Sequence, residues 1–216
     1  SENNLLEKDG EFYILETFLP GSKVLPEYSN LKHYKEMGRL HALVDNIVHA
    51  DDYKNPMPSS KTNYIESLVS KSEEALLELK KVIDAKTDKS EQDMVVLSNF
   101  DFIMKQIATF KKMFTEEIKS KMVKSDTNAD ISLNNVFFDE NMNFSGFFDF
   151  GSSVYDYRVI NFALMFVGIH GKSYGRYGYK YNGYDVIKET LKEYNKTLNI
   201  KMTPEEIIGM VELIRG

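Results

Sequence analysis

The sequence predicts an α+β chain that is mostly helical, with one small β hairpin inserted late in it. Three observations predict this. From about Ser29 onward, apolar residues recur at three- and four-residue spacing over most of the chain. The period then changes in the Phe-rich stretch NVFFDENMNFSGFFDF, residues 135–150. With 216 residues, 42% hydrophobic and 28% charged, the chain is long and apolar enough to bury a real core.

The chain opens with two short strands, NNLLEK and EFYILETFL, joined at Asp9-Gly10, a favoured two-residue turn. The segment PGS then breaks the pattern. An isolated hairpin is marginal in water, so this start reads as the edge of a larger sheet. A helix follows from Ser29, as N-cap, to His49, with Leu31, Tyr34, Met37, Leu40 or His41, and Val44 on its apolar side. The loop DDYKNPMPSSKT leads to a second helix over 62–85, with Tyr64, Leu68, Ala75, Leu76, Leu79 and Ile83 facing inward. A third runs over 90–121, interrupted near Asn99. Val95, Phe102, Ile103, Ile107, Phe110, Phe114 and Ile118 mark its apolar face, and the intervening Lys and Glu residues read as solvated. NVFFD and NFSGFFDF form the inserted hairpin about Glu140-Asn141-Met142, and the Phe residues at 137, 138, 144, 147 and 148 are expected to pack as core. A helix resumes across YDYRVINFALMFVGI. A Gly- and Tyr-rich loop, HGKSYGRYGYKYNGY, precedes two last helices, DVIKETLKEYNKTL and TPEEIIGMVELIR. Thr203 and Glu206 form a capping box there, with Pro204 at the first helical position.

Composition excludes several function classes. A net charge of −6 and a pI near 5.4 leave no basic field for nucleic acid or anionic lipid. Without Cys, disulfides and thiolate metal sites are excluded. The start SENNLLEKDG lacks a signal pattern, and the apolar run FALMFVGI is too short to span a membrane. A soluble cytoplasmic protein is expected. No His pair has metal-ligand spacing. His41 reads as a packed structural residue, His33 and His49 as surface residues, and His170 as a helix end.

The polar residues that need explaining are Asp130, Asn135 and Asp149, set among Phe residues near a dry core. If the hairpin pairs about its turn, Asn135 and Asp149 come close, with Asp130 just ahead. One Asp and one Asn oxygen, with phosphate oxygens and waters, satisfy Mg²⁺, which takes few protein ligands. The remaining carboxylate is free to orient a hydroxyl and accept its proton, the division of labour of phosphoryl transfer.

The stretch ADISLNNVFFDENMNFSGFFDFG resembles the catalytic and metal loops of the aminoglycoside phosphotransferase and choline kinase-like family. That family carries His-x-Asp, an Asn five residues after the Asp, a short hairpin and then Asp-Phe/Trp-Gly. EMGRLHALV is similar to its segment after the hinge, and EFYILETFLPG to its last N-lobe strand, hinge and turn. The resemblance covers residues 5–48 and 122–166, under half of the chain. It implies the C-terminal lobe of a protein-kinase-like fold, with residues 1–20 as the remnant of the N-lobe sheet and hinge and 21–216 as the helical lobe. It implies an ATP- and Mg²⁺-dependent phosphotransferase acting on a hydroxyl of a small molecule. Asp130 would be the catalytic carboxylate and Asn135 and Asp149 the Mg²⁺ ligands. Glu16, Thr17 and Phe18 would meet the adenine edge. Phe150 and Gly151 would shape the metal loop, and Asp156 matches an acidic position after it.

The family's His before the catalytic Asp is Asn128 here, and its bracing aspartate on the next helix is Asn161. No Gly-rich phosphate loop and no strand Lys with its helix Glu partner precedes residue 11. These are expected upstream of Ser1, in a missing N-terminal lobe of the same chain, so that the 216 residues are a fragment that binds nucleotide poorly alone. A pseudokinase or small-ligand binding module with the same fold is the alternative, motivated by Asn128 and Asn161. A purely structural helical domain leaves the trio unexplained.

Overall fold

The computed structural model describes residues 5–14, 19–24, 28–50, 64–128, 130–173 and 183–215. It is α+β and mostly helical, as the periodicity predicts. Strands β1 (Leu5–Lys8) and β2 (Glu11–Ile14) pair antiparallel across Asp9 and Gly10. Both turn residues have positive φ, 58° and 79°, as a tight two-residue hairpin turn requires. The PGS break does more than end this hairpin. It leads into β3 (Ser22–Lys23), which pairs antiparallel with β5 (Val136–Phe138). Gly21, at φ 101°, permits the approach: a Cβ there would lie 2.5 Å from the Phe138 carbonyl oxygen.

Helix α1 (Leu31–Val48) is capped by Asn30, one residue after the expected Ser29. The Asn30 carboxamide oxygen accepts from the Lys32 and His33 amides, and His33 Nδ1 accepts the Asn30 amide in return. Ser29 instead bonds the Tyr34 hydroxyl. His33 is buried and held below the ordinary histidine range by desolvation, then by Lys32, so it is not the surface residue expected. His49 is half-buried, its Nδ1 2.7 Å from the Asp45 carbonyl oxygen. The buried stripe of α1 packs on α7 (Gly183–Thr197). Gly38 allows the close crossing: a Cβ would stand 2.4 Å from the Thr190 carbonyl oxygen.

Helix α2 (Tyr64–Asp84) packs on α4 (Phe100–Met113). The expected break at Asn99 separates α4 from α3 (Glu91–Ser98). A second break near Phe114 sets off α5 (Glu116–Lys119), which Thr115 caps by accepting the Ile118 amide. Leu76, Ile83 and Phe114 are buried, whereas Leu79, Val95 and Phe102 are exposed, so part of the predicted apolar face looks outward. Lys119, expected in solvent, is buried between Glu66 and Glu116.

Strands β4 (Lys124–Asn128) and β7 (Ser153–Tyr157) pair antiparallel, with Asn128 opposite Ser153. The sequence pattern shows neither. Residues 125–128 of β4 are all polar yet all buried, so no apolar alternation marks the strand. β7 occupies the start of a segment predicted as helix; α6 (Val159–Ser173) begins only after it and ends three residues beyond His170, the predicted helix end. Between them, β5 pairs with β6 (Phe144–Phe147) about a turn in which the Asp139 carboxylate accepts the Asn141 and Asn143 amides. α8 (Pro204–Arg215) carries the predicted capping box, Glu206 amide to Thr203 Oγ1 and Thr203 amide to Glu206 Oε2. The core joins α1, α6, α7 and α8 to the hairpin through Met37, Leu40, Val136, Phe162, Phe166 and Met210.

Candidate active site

Strand β4 ends at Asn128, two residues before Asp130. Asn128 is buried and its carboxamide works in both directions. Oδ1 accepts the Asp130 amide at 3.0 Å, and Nδ2 donates to the Asp149 carbonyl at 2.9 Å. A single side chain therefore ties the backbones of the two aspartates together. Asn135, only 9% exposed, donates from Nδ2 to the Asp130 carbonyl at 2.9 Å. That bond points its Oδ1 away from the carbonyl. The Asn135 carbonyl accepts the Phe148 amide at 3.1 Å, which places Asp149 beside it. The structure thus brings together Asp130, Asn135 and Asp149, as the pairing of the hairpin predicts.

The two carboxyl groups differ from the amides in exposure. Asp130 and Asp149 both face solvent while Asn128 and Asn135 are buried. Asp149 sits at φ 68°, a left-handed conformation that costs a non-glycine residue and persists only where the surroundings hold it. Here the hold is Asn128 on its carbonyl and its own Oδ1, which accepts the Gly151 amide at 3.3 Å. The carboxylate keeps further lone pairs open. One Asp carboxylate and one Asn carboxamide oxygen are a donor set that fits Mg²⁺, which retains waters and takes phosphate oxygens for its remaining positions. Among the described residues no three His, Asp or Glu side chains gather as a metal cluster, so any ion here depends on that mixed set.

Supporting residues surround this loop. His41 on α1 places Nε2 3.1 Å from the Ile131 carbonyl oxygen and is pushed down to a pKa of about 4 by burial, partly opposed by that bond. Asp156 is fully buried, accepting the Tyr157 amide at 2.7 Å and the Ile65 amide at 3.4 Å, so it braces β7 and α2. Asn161 is buried on α6, and its Oδ1 has no partner among the described residues. The Phe residues divide. Phe138 is buried, and Phe144 and Phe147 pack on the core. Phe137 and Phe148 are half-buried, with the Lys23 ammonium 4.3 Å from the centre of the Phe148 ring. Phe150 is 55% exposed against Phe147. Glu16, Thr17 and Phe18, and most of the Tyr-rich loop, lie outside the described residues. Sequence reasoning missed the two-way bridge of Asn128 and the bond of His41, whose partner is 90 residues distant. It also missed Lys23, for which a two-residue strand gives no signal.

No protein-family model matches the sequence, and no curated protein matches it. Solved structures do match in shape. The aminoglycoside phosphotransferase from Alicyclobacillus acidocaldarius subsp. acidocaldarius DSM 446 superposes over 97% of this chain and 68% of its own, with a TM-score of 0.58 and 11% identity. The Plasmodium vivax ethanolamine kinase Pv091845 superposes over 98% of this chain with a TM-score of 0.53 and 14% identity. This chain spans 56% of that kinase's length. At such identities the likeness concerns fold. The chain has the mostly helical, kinase-like α+β fold seen in aminoglycoside phosphotransferase and ethanolamine kinase structures.

Proposed function

We propose that this chain is the helical lobe, residues 21–216, of an ATP-dependent phosphotransferase that acts on a hydroxyl of a small molecule, with residues 1–20 leading in from the sheet and hinge of the other lobe. The observation that carries the reading is the Asn128 carboxamide, which ties the Asp130 and Asp149 backbones together while leaving both carboxylates in solvent. A packing device would bury and pair those acids. This arrangement presents them.

In this reading Asp130 orients the acceptor hydroxyl and takes its proton as the oxygen attacks the γ-phosphorus of ATP. The bond from that phosphorus to the bridging oxygen breaks and ADP leaves. Asn135 Oδ1 and Asp149 would hold Mg²⁺, which when bound would neutralise charge on the phosphate oxygens. Glu16, Thr17 and Phe18 are proposed to offer backbone groups to the adenine edge. The 216 residues contain no Gly-rich phosphate loop, so this stretch alone is expected to bind nucleotide weakly and to be inactive. We place the protein in the cytoplasm, with no nucleic-acid or membrane partner. Among the described residues no helix is long and apolar enough to cross a membrane.

The test uses the full-length protein with Mg-ATP and a panel of amino alcohols, aminoglycosides and sugars. Asp130→Ala is expected to abolish transfer while nucleotide binding survives; Asp149→Ala is expected to lose the Mg²⁺-dependent part of that binding. Turnover by Asp130→Ala at the parental rate overturns the reading. One observation favours a second reading, a pseudokinase or small-ligand binding module: the buried Oδ1 of Asn161 has no partner among the described residues, where an aspartate would brace the loop. ATP binding with no transfer to any acceptor would select it.

A further inference from the structure

Three side chains hydrogen-bond the backbone of the loop from which Asp130 projects, and the third comes from outside the loop. The Asp130 amide is held by Asn128 Oδ1 and its carbonyl by Asn135 Nδ2. One residue on, the Ile131 carbonyl meets Nε2 of His41 at 3.1 Å. A carbonyl can only accept, so Nε2 carries the proton and Nδ1 is the lone-pair side. That Nδ1 is buried without a hydrogen-bond partner among the described residues. Among the described residues the bond to Ile131 is therefore the one polar contact that orients the ring, whose centre lies 6.0 Å from that of Phe162 in an edge-on arrangement. A histidine that served only to fill core space would carry a costly polar group for no return.

We infer that His41 is a positioning residue for the proposed phosphoryl transfer, holding the Ile131 carbonyl from α1 and so fixing where Asp130 meets the acceptor hydroxyl. This rests on the phosphotransferase reading. His41 touches neither phosphate nor acceptor and acts through the loop. The Ile131 side chain is buried as well, so its peptide is pinned by packing on one side and by the imidazole on the other. Asp130, the next residue back, is exposed and has no packing of its own to hold it. Burial keeps the His41 ring neutral, so the Nε2 donor persists across the neutral range.

The test compares His41→Gln, whose amide nitrogen reaches the Nε2 position, with His41→Leu, which has no donor, and His41→Asn, whose amide stops short. The assay is transfer from Mg-ATP to amino alcohols and aminoglycosides by the full-length protein, with amide hydrogen exchange over residues 130–135 measured alongside. We expect His41→Leu and His41→Asn to lower kcat roughly 10- to 100-fold, with KM for ATP changed less than about twofold. Exchange over 130–135 should quicken while α1 and α7 stay protected. His41→Gln should restore most of kcat and of the protection. Parental kcat and protection in His41→Leu, or equal impairment in Gln and Asn, overturns the inference. If His41→Leu does not fold, the Gln and Asn pair decides. If the parent transfers phosphate to no acceptor, the phosphotransferase reading fails, and exchange then decides separately: unchanged protection of 130–135 in His41→Asn overturns the loop-holding role.

Discussion

Two polar clusters of this molecule use similar groups to opposite ends. In the loop cluster, Asn128, Asn135 and His41 are buried and spend their hydrogen bonds on backbone, and the acids Asp130 and Asp149 are left in solvent. In the cluster beneath α1, α6, α7 and α8 the acids themselves are spent. Arg158 and Glu206 are both 0% exposed and meet through two bonds of 2.7 and 2.8 Å. Arg158 also donates to the Ile200 and Lys201 carbonyls, and Glu206 accepts the Val123 and Thr203 amides. Tyr194 donates to Asp45 Oδ2. The comparison separates a cluster built to hold helices together from one built to hold reactive groups apart from the core. It turns on which atoms are satisfied rather than on which residues are present.

The largest expected effect follows from breaking the buried pair. Glu206→Ala leaves the Arg158 guanidinium without its counter-charge in a dry site, uncaps α8 and orphans the Val123 amide. Removing one partner of a buried ion pair costs about 3–5 kcal/mol. Urea unfolding should show a loss in that range, whereas Asp130→Ala, at an exposed carboxyl, should move stability by no more than about 0.5 kcal/mol. A small loss for Glu206→Ala would erase the distinction drawn between the clusters.

Asp45 supplies a pH-dependent version of the same contrast. Its carboxyl is raised from 3.8 to about 6, first by desolvation, against the hydrogen bond from Tyr194, the charges of Arg158 and His49, and with a further push from Glu206. The native state therefore keeps the Asp45 proton to a higher pH than the unfolded chain does. Stability from this group is fully present below about pH 4 and is lost as pH rises through about 6. The loss is on the order of 3 kcal/mol, from about two pKa units. Asp45→Asn, which can still accept from Tyr194, should flatten this part of the profile and leave the variant more stable than the parent at pH 7. Urea midpoints between pH 4 and 7.5 would show it; parallel profiles for the two proteins would not fit a desolvated carboxyl.

An intermediate effect is expected at Asn128. Asn128→Ala deletes both bonds of the bridge and leaves the Asp130 amide to find another partner, a cost of about 1–3 kcal/mol. Asn128→Asp keeps the acceptor for the Asp130 amide but sets a carboxylate oxygen against the Asp149 carbonyl. It should therefore loosen Asp149 more than Asp130. Amide exchange near Gly151 against exchange near Asp130 separates the two bonds, and equal changes at both ends would mean that the bridge does not act as two independent ties.

Much of the loop cluster was legible because its signal is local. Asp130, Asn135 and Asp149 sit among Phe residues within 20 positions, and a hairpin turn between them sets their proximity. The long-range partners were not legible. His41 to Ile131 and Arg158 to Glu206 join residues far apart in the chain, and nothing in residue type says which carbonyl or carboxylate a buried donor will meet. Strand β4 escaped for a related reason: its inward groups, Ser125 to Asn128, are polar, so hydrophobic periodicity carries no trace of it. The Asn99 break was visible through a weak helix former, whereas the break at Phe114 falls at an aromatic residue that packs into the core and looks continuous with the helix before it.

The smallest expected effect comes from a pair with the same charges and none of the burial. Lys81 and Glu78 on α2 lie 3.3 Å apart with side chains 75% and 65% exposed. Their Coulomb attraction is weakened by water, and ordering two long side chains offsets most of what remains, so such a pair contributes roughly 0.2–0.5 kcal/mol. Lys81→Ala should accordingly shift the urea midpoint within error of the parent, and added salt should remove any residue of the effect. Set beside Glu206→Ala, this substitution likewise breaks one acid–base pair, but one that water surrounds. If the two variants lost comparable stability, burial could not be what distinguishes the structural acids of this fold from its exposed ones, and the case for Asp130 and Asp149 as presented groups would lose its physical basis.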